Sequence, residues 1–107
     1  MKLSEAQRIF TLNVAKLIQW AYGQPDYELT FGESFDDDGI GHMRNSNHYI
    51  RLAQDLNLFI DGEYKTNSSD YHRLGDAWKA LNPLNRWGGD FESEDGNHFS
   101  MEWKGRA

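Results

Sequence analysis

Leu52-Ala53-Gln54-Asp55-Leu56-Asn57-Leu58-Phe59-Ile60-Asp61-Gly62 is the stretch on which the fold turns. Leu52, Leu56, Leu58 and Ile60 fall on one side of an extended chain, interrupted by Gln54, and Ala53, Asp55, Asn57 and Phe59 on the other. This alternation predicts a strand from Leu52 to Ile60. Asp61-Gly62 is a hairpin signal, with Glu63 to Lys65 returning. Upstream, Tyr27 to Phe31 alternates and is rich in strand-forming residues, so it predicts a second long strand. Downstream, Trp87 to Phe91 predicts a short strand and Glu94 to Asn97 a turn. His98 to Trp103 predicts the last strand, with Phe99, Met101 and Trp103 towards the core and His98, Ser100 and Glu102 on its polar face.

Two helices flank these strands. Ser4-Glu5-Ala6-Gln7 has the form of a capping box, with Ser4 as N-cap. Ala6, Ile9, Phe10, Leu17, Ile18 and Ala21 recur at helical spacing until Gly23 and Pro25 stop the segment. Ser68 or Ser69 can cap a second helix with Tyr71, Leu74, Gly75, Trp78 and Leu81 as its buried stripe, and Pro83 closes it. The fold class is α+β: two helices packed on a small, largely antiparallel sheet. With 107 residues and no repeat or linker, one domain over 1–107 is expected.

Composition excludes several classes. Hydrophobic residues make up 38%, a globular value, and no apolar run is long enough for a membrane span. Cysteine is absent, which leaves His, Asp and Glu as metal donors. The formal charge is −6, and no lysine or arginine occurs between Lys16 and Arg44 while six acids do. Such a surface repels nucleic acid and anionic membranes. Met1-Lys2-Leu3-Ser4-Glu5 lacks an apolar signal core, so synthesis in a cytoplasm without an export signal is expected. A monomer is expected.

Chemistry concentrates in two clusters. His48 precedes Asp55 by seven positions, and Asp95-Gly96-Asn97-His98 adds a second histidine with an acid three places before it. Two imidazoles and one carboxylate can hold zinc and leave a position open for water, and a further carboxylate can take that water's proton. The same donors describe the non-haem iron triad, ranked below zinc because so short a chain leaves little room for a cosubstrate pocket. A histidine on a strand is more often structural than a ligand, and Asp-Gly-Asn is an ordinary turn. The odd spacing of His48 and Asp55 would send them to opposite sides of one straight strand. Shared ligation therefore demands a bend around Tyr49 to Arg51. Ser46 and Asn57 are candidates for orienting the ligands, and His42 for contacting substrate. Asp36-Asp37-Asp38-Gly39 reads as an acidic loop without full calcium-loop spacing. His72 reads as surface, and Glu92 and Glu94 as alternative bases outside the motif.

Ser46-x-His48-x6-Asp55, with Ala53 two before the acid, resembles the first metal motif of the M15 (LAS-type) metallopeptidases, and Asp95-x-x-His98 resembles the second. The strings from Arg51 to Phe59, Trp87-Gly88-Gly89 and Asp95 to Ser100 resemble a compact branch common in phages and prophages. The resemblance runs from about Gly32 to Trp103. It implies the LAS/hedgehog-type fold, zinc on His48, Asp55 and His98, and Asp95 as general base. It implies hydrolysis of peptidoglycan stem peptides between L-Ala and D-Glu, with D-alanyl-D-alanine release as the alternative. It also implies action on the cell wall after release through a partner's membrane hole, of holin type. Two departures stand out. Arg51 occupies a usual glycine position. No arginine follows Gly32-Glu33, where many relatives polarise the scissile carbonyl, and Arg44 is the candidate replacement. That departure motivates a rival: a non-catalytic binding or structural module on the same fold.

Overall fold

The computed structural model describes residues 1–33 and 46–107. Helix α1 spans Leu3–Tyr22 and leads through a tight turn into strand β1, Tyr27–Phe31. A 3₁₀ turn, Asn47–Ile50, precedes β2, Ala53–Ile60, which returns as β3, Glu63–Tyr64. A second 3₁₀ turn, Ser68–Tyr71, runs into helix α2, His72–Leu81. Strand β4, Asn85–Trp87, a third 3₁₀ turn, Gly88–Asp90, and β5, His98–Met101, complete the order. The sheet order is β1-β2-β5-β4, with β3 also on β2, and every pairing is antiparallel.

The central stretch behaves as its alternation predicts. Leu56 and Leu58 are fully buried, while Asp61 and Gly62 both adopt left-handed φ, 52° and 77°, as a tight two-residue hairpin requires. One sheet face packs on both helices. Ala6, Phe10, Leu17 and Ala21 of α1 and Leu74 and Trp78 of α2 enclose Leu56, Leu58, Phe99 and Met101. Trp78 is the hub: its ring meets Phe10 and Phe99 edge-on at 5.6 and 6.1 Å, and its indole N–H donates to the carbonyls of Arg86 and Ser100. Ile9 lies at the exposed margin of the α1 stripe.

Neither helix is capped as its serines suggest. Lys2 flanks α1, and its backbone N–H donates to Glu5 Oε1 at 3.4 Å. Gln7 does not reach back to the helix start; it donates to the Ile50 carbonyl at 2.8 Å. Ser68 opens a 3₁₀ turn, and its Oγ accepts the Gly96 N–H at 2.9 Å. In each case a distant partner takes a side chain that local rules assign to a cap. The short strand also lies earlier than its residues suggest, at Asn85–Trp87, because Gly88 and Gly89 turn the chain into the 3₁₀ segment. At the open edge of the sheet, the Tyr22 hydroxyl donates to the Leu29 carbonyl and accepts the Leu29 N–H, at 3.2 and 3.1 Å.

Candidate metal centre

Asp55 and His98 are directly opposed in the β2–β5 ladder. Opposed residues of an antiparallel pair project to the same face within about 5.5 Å of one another, so the sheet itself brings carboxylate and imidazole together. His48 arrives from outside the sheet. The bend demanded by its odd spacing is present: Asn47–Ile50 winds as a 3₁₀ turn and Arg51 closes it in the left-handed conformation, φ 57°. Ser46 Oγ accepts the His48 N–H at 3.3 Å. Asn47, fully buried, donates through Nδ2 to the carbonyls of Met101 and Arg106 at 2.6 and 3.1 Å, and Arg106 donates to the Ser46 carbonyl. These bonds hold the first end of the turn carrying His48, and Gln7 holds its other end through the Ile50 carbonyl.

Three ligand atoms converge. His48 Nε2 lies 3.2 Å from His98 Nδ1 and 3.3 Å from Asp55 Oδ1, and His98 Nδ1 lies 3.6 Å from that same oxygen. Charge-assisted hydrogen bonds run shorter, about 2.7–2.9 Å, and Asp55 Oδ1 has no well-aligned donor among the described residues. The three atoms lie close enough together to share one cation. Tetrahedral zinc with bonds of about 2.0–2.1 Å separates its ligands by about 3.3–3.4 Å. The observed edges of 3.2, 3.3 and 3.6 Å lie within 0.3 Å of that length. His48 and His98 are 1% and 4% exposed. Among the described residues these three form the group that can hold a metal, and a nitrogen–oxygen donor set of two imidazoles and a carboxylate fits zinc.

Electrostatics favour a cation here. Burial alone would raise the Asp55 pKa, but the two imidazoles beside it more than offset this and hold it below its ordinary 3.8. An ionised carboxylate in a largely buried pocket is a ready partner for positive charge. The backbone of Asp55 is clamped as well: its N–H donates to the Glu33 carbonyl at 2.7 Å and its carbonyl accepts the Gly32 N–H at 2.8 Å. Gly32 permits this approach, since a Cβ there would come within 2.9 Å of Asp55 Cβ.

The face of β5 that carries His98 and Ser100 is covered. His98 and Ser100 are buried, because the Asn47–Ile50 turn and the segment after Gly88 fold over them. Phe91 packs against the His98 ring at 5.4 Å. Asp95 stands beside this covered floor, exposed to solvent. Its N–H donates to the Gly88 carbonyl and its own carbonyl accepts the His98 N–H, at 2.9 and 3.0 Å. Its backbone thus ties it to His98, while its side chain is not one of the converging three. Asn57 accepts a hydrogen bond from Asn97 at 3.1 Å and so ties β2 to the Asp95 turn. His42 and Arg44, the candidates for substrate contact and carbonyl polarisation, and Asp36 to Asp38 lie outside the described residues.

Several positioning residues escaped the sequence reading. Trp87 donates through Nε1 to the Gly96 carbonyl at 2.7 Å, and its ring fits because Gly75 and Gly89 lack a Cβ, which would lie 2.2 Å from it at either site. The Trp87-Gly88-Gly89 string was the available signal. Asn47 and Arg106 had none, since their partners lie more than fifty residues away in sequence.

Comparison with known proteins agrees with this geometry. A model of the M15 peptidases, described as D-alanyl-D-alanine carboxypeptidase, matches residues 40–101, more than half of the chain. Among solved structures, the L-Ala D-Glu endopeptidase ChiX of Serratia marcescens superimposes with a TM-score of 0.65. The match covers 92% of this chain and 85% of that one at 18% identity, a likeness of fold. A search of curated proteins finds no significant match. With the paired motifs, the α+β architecture and the convergent donors in agreement, the chain belongs to the M15 peptidase family.

Proposed function

We propose that this chain is a zinc-dependent peptidase that hydrolyses peptidoglycan stem peptides, with the L-Ala–D-Glu bond as its target. The observation that carries the reading is the triangle of His48 Nε2, Asp55 Oδ1 and His98 Nδ1, with edges of 3.2 to 3.6 Å. Family membership supports peptidase chemistry. The bond preference is supported by the phage-like strings and by the activity named for ChiX. D-alanyl-D-alanine release, which the family description names, is the alternative. The strings resembling phage relatives further suggest a lysin made in a host cytoplasm and acting on the wall.

A bound zinc supplies Lewis acidity, acidifying a water and stabilising negative charge on the scissile carbonyl oxygen. The protein's own residues do the remaining work. His48 and His98 ligate through unprotonated ring nitrogens, and Asp55 as a carboxylate. Asp95 accepts the proton of the attacking water and returns it to the departing amine. The buried walls around His48 and His98 keep bulk water from the ligands and strengthen each charge interaction.

Digestion of purified peptidoglycan by wild type and Asp95→Ala, with fragments read by mass spectrometry and zinc measured on both proteins, tests this. Wild type is expected to release peptides with a new D-Glu amino terminus. Asp95→Ala is expected to keep zinc and to slow by about a hundredfold or more. Equal digestion by both proteins would refute the assigned base. A well-folded wild type that takes up no zinc would sink the peptidase reading, and zinc uptake without digestion would favour a binding module.

A further inference from the structure

Gln54 is the polar interruption on the apolar side of the central strand, between Leu52 and Leu56, both fully buried. A carboxamide placed there costs desolvation energy unless its polar atoms find partners. Its Nε2 donates to the Asp55 carbonyl at 2.9 Å and to the Gly32 carbonyl at 3.2 Å, and it reaches the Glu33 carbonyl at 3.5 Å. All three acceptors are main-chain groups at the rung of the sheet that carries the proposed ligand Asp55.

That rung is irregular. Strands β1 and β2 pair one for one as far as Phe31 and Leu56. In a regular ladder the next rung would have Gly32 and Asp55 exchange both of their hydrogen bonds. The Gly32 N–H does donate to the Asp55 carbonyl, at 2.8 Å, but the Asp55 N–H donates to the Glu33 carbonyl, at 2.7 Å. Two residues therefore oppose one, which is a β-bulge. The Gly32 carbonyl that the bulge displaces from the ladder is the one that Gln54 takes. Bulges bend the strand and re-aim side chains at their rung. Here that side chain is the Asp55 carboxylate. On one flank the Gly32 main chain lies against it, since a Cβ at residue 32 would come within 2.9 Å of Asp55 Cβ. On the other flank Asp55 is opposed to His98.

We propose that Gln54 is a positioning residue for Asp55: its carboxamide stabilises the bulge that fixes the direction in which the carboxylate leaves β2. The proposal rests on the metal-centre reading and deepens it. Gln54 acts from the opposite face of the sheet, through the main chain. Without its donors the Gly32 carbonyl loses this partner, and regular pairing, in which Gly32 takes back the Asp55 N–H, competes with the bulge. The carboxylate then starts from a different direction. Groups that orient a ligand from behind typically change metal affinity by about 10–100-fold when removed.

Two variants test it. Gln54→Met keeps the length of the side chain and removes its donors, and Gln54→Asn keeps the carboxamide but withdraws it by one methylene. Each is made in the wild-type and in the Asp55→Ala background, so that the cycle isolates what passes through Asp55. Zinc affinity is measured by chelator competition, and metal-free stability by urea unfolding. With Asp55 present, Gln54→Met is expected to raise the zinc Kd about tenfold or more, and Gln54→Asn by less. With Asp55 absent, neither is expected to change the weaker affinity that remains. Amide exchange at Gly32 and Asp55 is expected to quicken in Gln54→Met. An equal loss of affinity in both backgrounds marks a merely structural effect and overturns the proposal, as does unchanged affinity in Gln54→Met. If Gln54→Met does not fold, Gln54→Asn decides by the same criteria. Coupling to Asp55 in a protein that digests no peptidoglycan retains the positioning role and overturns the peptidase reading. Digestion by wild type without coupling does the reverse, and a wild type that takes up no zinc overturns both.

Discussion

Replacing Gly88 by alanine should damage the centre without touching any group proposed to act in it. A Cβ at residue 88 would lie 2.1 Å from the Asp95 carbonyl oxygen and 2.8 Å from His98 Cβ. Ordinary contact begins near 3.4 Å, so the Asp95 carbonyl must retreat by about 1.3 Å. It cannot do so alone. The Asp95 N–H is bonded to the Gly88 carbonyl, and the Asp95 carbonyl to the His98 N–H. The displacement therefore passes to the proposed base and to one ligand together. Overpacking of this kind costs about 1–3 kcal/mol of stability. A misplacement of about 1 Å costs about a hundredfold in rate. The assay combines urea unfolding of metal-free protein, zinc affinity by chelator competition, and hydrolysis of a stem-peptide substrate. Gly62→Ala is the control: it is strained by φ 77°, but a Cβ there meets nothing within 4 Å and the hairpin is remote from the ligands. Gly88→Ala is expected to lose rate and zinc affinity well beyond its stability loss, and Gly62→Ala to lose stability alone. Wild-type rate and zinc affinity in a folded Gly88→Ala protein would refute the reasoning.

Trp87→Phe keeps an aromatic ring between Gly75 and Gly89 but removes the bond to the Gly96 carbonyl; kcat should fall about tenfold or more while zinc affinity changes little, read by steady-state kinetics and chelator competition. Tyr71→Phe strips the hydroxyl that accepts the Leu58 N–H and donates to the Lys65 carbonyl, and should cost about 1–3 kcal/mol in urea unfolding. Burial raises the Tyr71 pKa above 10.0 against the opposing Leu58 bond. Its stabilisation is thus complete below the unfolded value and lost as pH rises through the higher folded one, so wild type but not Tyr71→Phe should show that alkaline loss. Asp55 has the opposite sign: its folded pKa is depressed, so in metal-free protein its contribution is present above about pH 4 and disappears as pH falls through a value below 3.8. Zinc loading should stabilise the folded protein at neutral pH, and stability curves of loaded and metal-free protein that coincide there would contradict this.

The alternation of Leu52 to Ile60 and the Asp61-Gly62 turn were legible because strand register and hairpin chirality are local properties. The odd interval between His48 and Asp55 made the bend at Arg51 a geometric necessity of shared ligation, and it is there. What the chain did not disclose is long-range. Gln7 and Ser68 look like caps because capping is the local use of their side chains, yet Ile50 and Gly96 claim them. Alternation puts His98 on the polar face of its strand but sees one strand at a time, so it says nothing of the burial that His48 and Phe91 impose on that ring. Asn47 and Arg106 are ordinary polar residues until the fold joins them at the start of the His48 turn. The roles considered for His42 and Arg44 belong to residues outside those described.

The Tyr22 hydroxyl, seated on both backbone groups of Leu29, has a colloidal consequence. An open edge strand offers its amides and carbonyls as a template on which a second chain can extend the sheet. Strand β1 has five residues, and the phenol oxygen occupies its middle rung. A foreign strand would have to displace that oxygen, from a helix of the same molecule, before it could pair in register. One atom thus stands between the Leu29 backbone and a surface able to seed intermolecular β-structure at high concentration. Exposed Phe31, at the end of the same strand, would supply such a seed with its apolar contact.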